Sequence, residues 1–323
     1  MKPRRRTLSS DRTTEGLVLS PTARHAKVFF DGNVVRCLYA NVLKDSAPLD
    51  TRPVAAGDRV VVRVADTGDA FVESVLPRKS VLARQHAGSR RQVMVANADR
   101  VLIVTSATEP IFLPRLVDRM LVACEAAGLP AVITITKVDL LTDRSAILEA
   151  ASIWSRLGYD VRLVSPRTGE GIDELRPVLL EGITVAAGQS GVGKSSLLTA
   201  FEPSLKLSTA TVSEHWGRGR HTTTAATLHR FMAGWLCDTP GIRSFGLAGL
   251  APTEIAVRFR DFQPFIDSCR FNSCTHVHEP ECAVKEAVAL GKVHPARMDS
   301  YLRMIGAITG DDESESDSNE GSD

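Results

Sequence analysis

Apolar residues along the chain follow two rhythms. Between residues 16 and 75 they come in short β-rich runs: Lys27-Val28-Phe29-Phe30, Val34-Val35-Arg36-Cys37-Leu38, Arg59 to Val64 and Phe71 to Val75. Asp31-Gly32-Asn33 and Thr67-Gly68-Asp69 separate two pairs of these runs as turns. Roughly five short strands suit a small closed barrel, and the OB-fold is the commonest such barrel among nucleic-acid-binding proteins. A barrel serving only as a docking module fits the same pattern.

From about residue 98 apolar strands alternate with amphipathic helices. The pattern predicts strands at Val101 to Thr105, Ala131 to Ile135, Val161 to Val164 and Ile183 to Ala186. Helices are predicted at Pro114 to Ala127, around Arg144 to Leu157, from near Ile172 and from Lys194. This is the rhythm of a parallel sheet covered by helices. A loop from Glu202 to His221 is long enough to be functional. Thr227 to Met232 and Trp235 to Asp238 then read as a last strand pair. Residues 249 to 309 are helical apart from a Cys/His knot, and Met298, Tyr301, Leu302 and Ile305 give the last helix one apolar face.

Composition adds little except at the ends. With 323 residues, 43% hydrophobic and 24% charged, the chain can build two or three separate cores. The net charge of +1 conceals a basic start (Lys2, Arg4, Arg5, Arg6, Arg12) and an acidic finish from 311 to 323, both expected to be disordered. No apolar run approaches bilayer length, and no apolar stretch follows the basic start as in a signal peptide, which places the protein in the cytoplasm, away from membranes. Six cysteines are too few for a disulfide scaffold. Cys37, Cys124 and Cys237 lie in apolar surroundings and read as buried thiols.

The chemistry concentrates in four segments. Gly188-Gln189-Ser190-Gly191-Val192-Gly193-Lys194-Ser195 matches G-x-x-x-x-G-K-[ST] between an apolar strand and a helix. Its glycines let backbone N–H groups curl around phosphates, Lys194 reaches the β- and γ-phosphates, and the Ser195 hydroxyl ligates Mg²⁺. Asp238-Thr239-Pro240-Gly241 ends another strand, where the carboxylate binds Mg²⁺ through water and the Gly241 N–H meets the γ-phosphate. Thr136-Lys137-Val138-Asp139 resembles a guanine-reading motif: Asp139 accepts from N1 and N2, and the Lys137 stem covers the base. Cys269-x₄-Cys274-x-His276-x₅-Cys282 supplies four soft ligands for one tetrahedral, structural Zn²⁺, with His278 as the alternative imidazole.

The base-reading segment precedes the P-loop, and DTPG follows it, so the usual GTPase order is permuted. Rejoining a parallel sheet in this way keeps every loop at the carboxyl ends of the strands, where ligands bind. Here the chain resembles the circularly permuted, small-ribosomal-subunit-dependent GTPases, the RsgA/YjeQ family. The resemblance rests on Ser165 with Thr168-Gly169-Glu170-Gly171, on GQSGVGKSSL (including Ser196), on Gly219-Arg220-His221-Thr222-Thr223-Thr224, on DTPG and on the Cys/His knot. It implies a class of α/β fold with all-β and α-helical additions. The expected boundaries are a tail at 1–15, an OB-fold at 16–80, a permuted GTPase domain at 81–247, a helical zinc-binding domain at 248–309 and a tail at 310–323. It also implies GTP hydrolysis to GDP, stimulated by the small ribosomal subunit late in its maturation, by a monomer that contacts rRNA. His276 is favoured over His278 on the same ground.

Two departures touch base recognition. Thr136 stands where the family usually has asparagine, and Pro166, which has no N–H, follows Ser165 where GTPases hold guanine O6 with a backbone donor. That hydrogen bond is either absent or supplied by a neighbour such as Arg167. Guanine preference is therefore expected to survive through Asp139 but to be weaker than in a typical GTPase. Arg78, Lys79, Arg84, Arg90, Arg91, Arg218 and Arg220 are candidate contacts for RNA phosphates. The competing readings are a P-loop ATPase or kinase, which TKVD argues against, and an RNA-binding protein with a vestigial site, which the intact Lys194, Ser195 and Asp238 argue against.

No glutamine follows DTPG to orient the attacking water, since Ile242 and Arg243 stand there. Thr222 or Thr223, preferably Thr223, completes Mg²⁺ coordination when the long loop closes, and His221 beside them is the candidate to orient the water. His221→Ala is expected to abolish partner-stimulated GTP turnover while leaving nucleotide binding intact. Unchanged stimulated turnover in a steady-state phosphate-release assay rules the assignment out.

Overall fold

The computed structural model describes residues 12–44, 54–85, 91–202, 226–238 and 250–309. Five strands form a closed barrel in the order β1-β2-β3-β5-β4: β1 (Arg12–Pro21), β2 (His25–Phe30), β3 (Asn33–Tyr39), β4 (Arg59–Val64) and β5 (Ala70–Val75). Strand β1 starts inside the expected N-terminal tail. Arg12 to Glu15 pair with Val64 to Val61, so these residues close the barrel and do not precede it. Alternation fills the interior with Val18, Ala26, Val28, Cys37, Val60, Val62 and Val72. Burial pushes the Cys37 thiol up to about 11.

A hairpin of β6 (Val81–Gln85) and β7 (Arg91–Ala96) follows, in a stretch where the apolar pattern predicted no strands. It holds the barrel to the next domain. Gly57 (φ +87) packs so closely that a Cβ there would stand 2.0 Å from the Ala96 carbonyl oxygen. Asn97 donates to the Gly57 carbonyl at 2.9 Å. Arg78 is not free for RNA: its guanidinium forks onto the fully buried Asp58 at 2.7 and 2.9 Å.

The second domain is a six-stranded sheet in the order β10-β9-β8-β11-β13-β12. Its strands are β8 (Arg100–Ser106), β9 (Ala131–Thr136), β10 (Asp160–Leu163), β11 (Ile183–Ala187), β12 (Thr227–Phe231) and β13 (Gly234–Asp238). All neighbours run parallel except the β12–β13 hairpin. Helices α1 (Pro114–Ala127) and α2 (Ser145–Arg156) cover one face; α3 (Ile172–Leu179) and α4 (Lys194–Phe201) cover the other. Period-two alternation sorts the two cores: Val101 and Ile103 face α1, while Leu102 and Val104 face α3 and α4. The chain runs outward from β8 to β10, then crosses back to β11 on the other side of β8. Ligands in open α/β sheets bind at such a reversal.

The C-terminal module contains α5 (Pro252–Ala256), α6 (Gln263–Ile266), α7 (Ala283–Ala289) and α8 (Pro295–Thr309). Helix α8 buries Met298, Tyr301, Met304 and Ile305, whereas Leu302, expected on that face, is 37% exposed. The i+6 position thus replaces i+4 in the stripe, because α8 also packs on α1. There the buried Arg297 bonds both Asp118 of α1 and Asp261, at 3.0 Å for the latter, and Trp154 donates to Asp118 at 2.8 Å. Burial alone would lower the Arg297 pKa, but the two carboxylates outweigh it and raise it. Nearby, Arg260 pairs with Glu125 at 2.8 Å and stacks on Tyr159.

Removing one member of such a buried network leaves uncompensated charge. Arg297→Met is expected to destabilise the protein by about 3 to 5 kcal/mol, read as a lower urea midpoint in tryptophan fluorescence. An unchanged midpoint contradicts the role given to this clamp.

Candidate nucleotide site and metal cluster

The P-loop leaves β11 at the sheet's centre and enters α4. Its first glycine is obligatory: Gly188 has φ +149, and a Cβ there would lie 2.1 Å from the Val104 carbonyl oxygen of β8. This close approach turns the chain back over the strand end. Among the described residues, none of the N–H groups of Gln189, Ser190, Gly191, Val192 and Gly193 has a backbone or side-chain partner. Unpaired donors in a row, ahead of a helix N-terminus, form a cradle for an anion. Lys194 folds its ammonium into the same arc, donating to the carbonyls of Gly188 and Gln189 at 2.8 and 2.6 Å. Ser195 is half-buried and Ser196 exposed on the first turn of α4.

The base-reading motif sits one strand beyond β8. Thr136 is fully buried, and its hydroxyl lies 2.5 Å from the Val192 carbonyl oxygen and 3.1 Å from that of Thr105. The threonine is therefore committed to tying the P-loop to β8 and β9. Lys137 adopts φ +61 and donates its ammonium to the Glu109 carbonyl in the loop between β8 and α1. Asp139 stands on the short 3₁₀ turn Val138–Leu140 with its side chain 12% exposed and Arg167 3.8 Å away.

The 165–171 loop completes this end of the site. Ser165 is fully buried and shapes the loop from within: its hydroxyl accepts the Thr168 N–H at 3.2 Å and its carbonyl the Gly169 N–H at 2.8 Å. Glu170 is held by Arg144 through bonds of 2.6 and 3.0 Å. The Arg144 guanidinium lowers the Glu170 pKa, principally through that hydrogen bond. Glu170 lies in a sequence motif, but neither its partner Arg144 nor the Glu109-Pro110 segment, whose carbonyl takes the Lys137 ammonium and whose proline ring packs over Gly191, does. A proline four residues past the polar end of β8 was the only available signal for that segment.

Asp238 ends β13 in parallel register with Ala186, two residues before the first P-loop glycine on the neighbouring strand. His221, Thr222, Thr223 and Gly241 lie outside the described residues, as do Arg90, Arg218, Arg220 and residues 1–11 and 310–323.

The Cys/His knot gathers Cys269, Cys274, His276 and Cys282, with their ligand atoms all within 4.8 Å of one another. His276 Nδ1 is 3.3 Å from the Cys282 sulfur and 3.6 Å from that of Cys269. Those separations match the edges, roughly 3.5 Å, of a tetrahedron of thiolate and imidazole ligands around one metal ion. Geometry thus selects His276, at φ +61 and 1% exposed, over His278. Burial pushes the Cys274 thiol up to about 12 and the His276 imidazole down, so a metal entering this pocket must displace thiol protons. Burial alone would raise the Glu279 carboxyl, but bonds from the Thr275 hydroxyl and nearby N–H groups bring it down to about 2. Those bonds fix the knot's inner turn.

A central P-loop strand with its base-reading motif upstream and DTPG downstream defines a circularly permuted GTPase. Comparison with known proteins agrees. The RsgA GTPase family profile matches residues 75–248. The small ribosomal subunit biogenesis GTPase RsgA of Mannheimia succiniciproducens is 38% identical over 301 residues, covering 91% of this chain and 83% of its own. That of Shewanella oneidensis is 38% identical over 303 residues, covering 91% and 83%. The crystal structure of YjeQ from Thermotoga maritima superposes with a TM-score of 0.76 at 32% identity, over 93% of this chain and 99% of that one. YloQ, a circularly permuted GTPase, gives 0.72 at 25% identity, over 98% and 100%. This chain belongs to the RsgA GTPase family.

Thr136→Val keeps the side chain's shape and deletes the hydroxyl that joins the two halves of the site. GDP affinity is expected to fall about tenfold, as for a lost buried hydrogen bond. Titration showing unchanged GDP affinity contradicts a tethering role.

Proposed function

We propose that this protein hydrolyses GTP during late maturation of the small ribosomal subunit, in the cytoplasm, and that binding the subunit and its rRNA stimulates turnover of the monomeric enzyme. The observation that carries this reading is the row of unpartnered N–H groups from Gln189 to Gly193, set beside a base-reading turn in an RsgA family chain. The names of the relatives give the direction: they are small ribosomal subunit biogenesis GTPases.

In this reading the cradle and Lys194 hold the β- and γ-phosphates, and Asp139 accepts from the guanine edge. Ser195, Thr223 and Asp238 would hold Mg²⁺, which when bound would neutralise the charge that develops on the phosphates. The Gly241 N–H meets the γ-phosphate, and His221 orients the attacking water once Thr222 and Thr223 have closed over the site. Cys269, Cys274, His276 and Cys282 hold one structural zinc ion, to which three thiolates and an imidazole are well suited. Four protein ligands leave no open position, so this metal stabilises the C-terminal module and takes no part in hydrolysis.

The test is phosphate release from GTP and from ATP, with and without purified small ribosomal subunits. GTP turnover is expected to be slow alone, at least tenfold faster with subunits, and selective over ATP. Intact GTP binding without stimulation would assign the enzyme to another partner.

A further inference from the structure

We infer that Arg167 determines base specificity in this protein, its guanidinium supplying the donor to the 6-carbonyl of the purine that Pro166 cannot supply. The inference rests on the guanine reading above. At the base end, the Thr136 hydroxyl is taken by Val192 and Thr105, the Lys137 ammonium donates to Glu109, and Ser165 is turned into its own loop. Asp139 remains, and an ionised carboxylate only accepts. It can select the N1–H and N2–H donors of guanine but cannot contact O6.

The backbone of the 165–171 loop does not fill that gap in the usual way. The Ser165 N–H goes to the Glu170 carbonyl at 2.9 Å and the Gly169 N–H to Ser165 at 2.8 Å. The Thr168 N–H goes to the Ser165 hydroxyl and the Glu170 N–H to the Thr168 hydroxyl. Pro166 has no N–H. Besides the backbone N–H groups of Arg167 and Gly171, the Arg167 guanidinium is the donor this loop presents, and it is the one that stands beside Asp139. The guanidinium stands 3.8 Å from Asp139, and the Arg167 side chain is 80% exposed. The competing acid, Glu170, is already forked by Arg144.

This juxtaposition suits one edge of guanine. O6 adjoins N1–H, so a guanidinium beside the carboxylate meets the acceptor while the carboxylate takes the donors. Adenine offers an amino group at the same place, donor against donor, and no N1–H. Arg167 therefore attracts one base and opposes the other. So exposed an ion pair is weak and rearranges readily as the base enters.

The experiment is equilibrium titration of the full chain and of Arg167→Ala with GDP and with 2-aminopurine riboside 5′-diphosphate, which keeps the phosphates and the 2-amino group but lacks the 6-carbonyl and, with it, the N1–H; the readout is the loss caused by Arg167→Ala within each nucleotide. Arg167→Ala is expected to weaken GDP about tenfold, as for a charge-assisted hydrogen bond, and to leave the aminopurine nucleotide within twofold. Equal losses for both nucleotides would mean general attraction to the phosphates and would overturn the inference, as would no loss for either. Asp139→Asn serves as the control. If it weakens GDP while Arg167→Ala does not, only this inference falls; if it leaves GDP unchanged, the guanine reading falls too.

Discussion

The Thr136 hydroxyl lies between the carbonyl oxygens of Val192 and Thr105, sealed from solvent. It binds the last residue of β9 to the strand beside it and to the P-loop one strand further on. A buried carbonyl without a donor is costly, so the contact fixes the height of the phosphate cradle relative to the base-reading turn. Everything a nucleotide touches at one end is thereby referred to what it touches at the other. This also explains why permuted order does no harm. The cross-strand tie is spatial, and it is indifferent to which segment the ribosome makes first.

A second buried constraint joins this site to the C-terminal module. Arg297 reaches from α8 to Asp118 on α1, and Trp154 of α2 completes the cluster from the base-reading side of the sheet. Tyr301, one turn on, donates to the Thr275 carbonyl inside the metal knot at 2.6 Å and approaches the Pro252 carbonyl at 3.5 Å. Pro252 opens the first described helix after DTPG. The metal cluster, the base-reading half of the GTPase domain and the segment that follows the phosphate-sensing motif therefore meet on one helix.

Much of this was legible in the sequence because periodicity and glycine spacing are local signals. The strand–loop–helix context of Gly188 to Ser195, the helix from Pro114 and the clustering of Cys269, Cys274, His276 and Cys282 needed no knowledge of tertiary contacts. The hairpin of β6 and β7 was missed because its basic residues resemble a solvated linker, while its partners Ala56 and Gly57 lie far back in the chain. Arg78 was misread for a related reason: the carboxylate that claims it, Asp58, is twenty residues away and fully buried. The role of Thr136 was half legible. A shortened side chain in a base motif is visible, but its commitment to Val192 appears only when two strands separated in sequence are brought together.

The proposed guanine reading keeps Asp139 as the base contact although Thr136 and Pro166 depart from the family pattern. Direct titration of the nucleotide-free protein with GDP and ADP tests it most plainly. GDP is expected to bind more tightly, by a margin smaller than in GTPases that carry asparagine and a backbone donor at these positions. Equal affinity for the two nucleotides would contradict it.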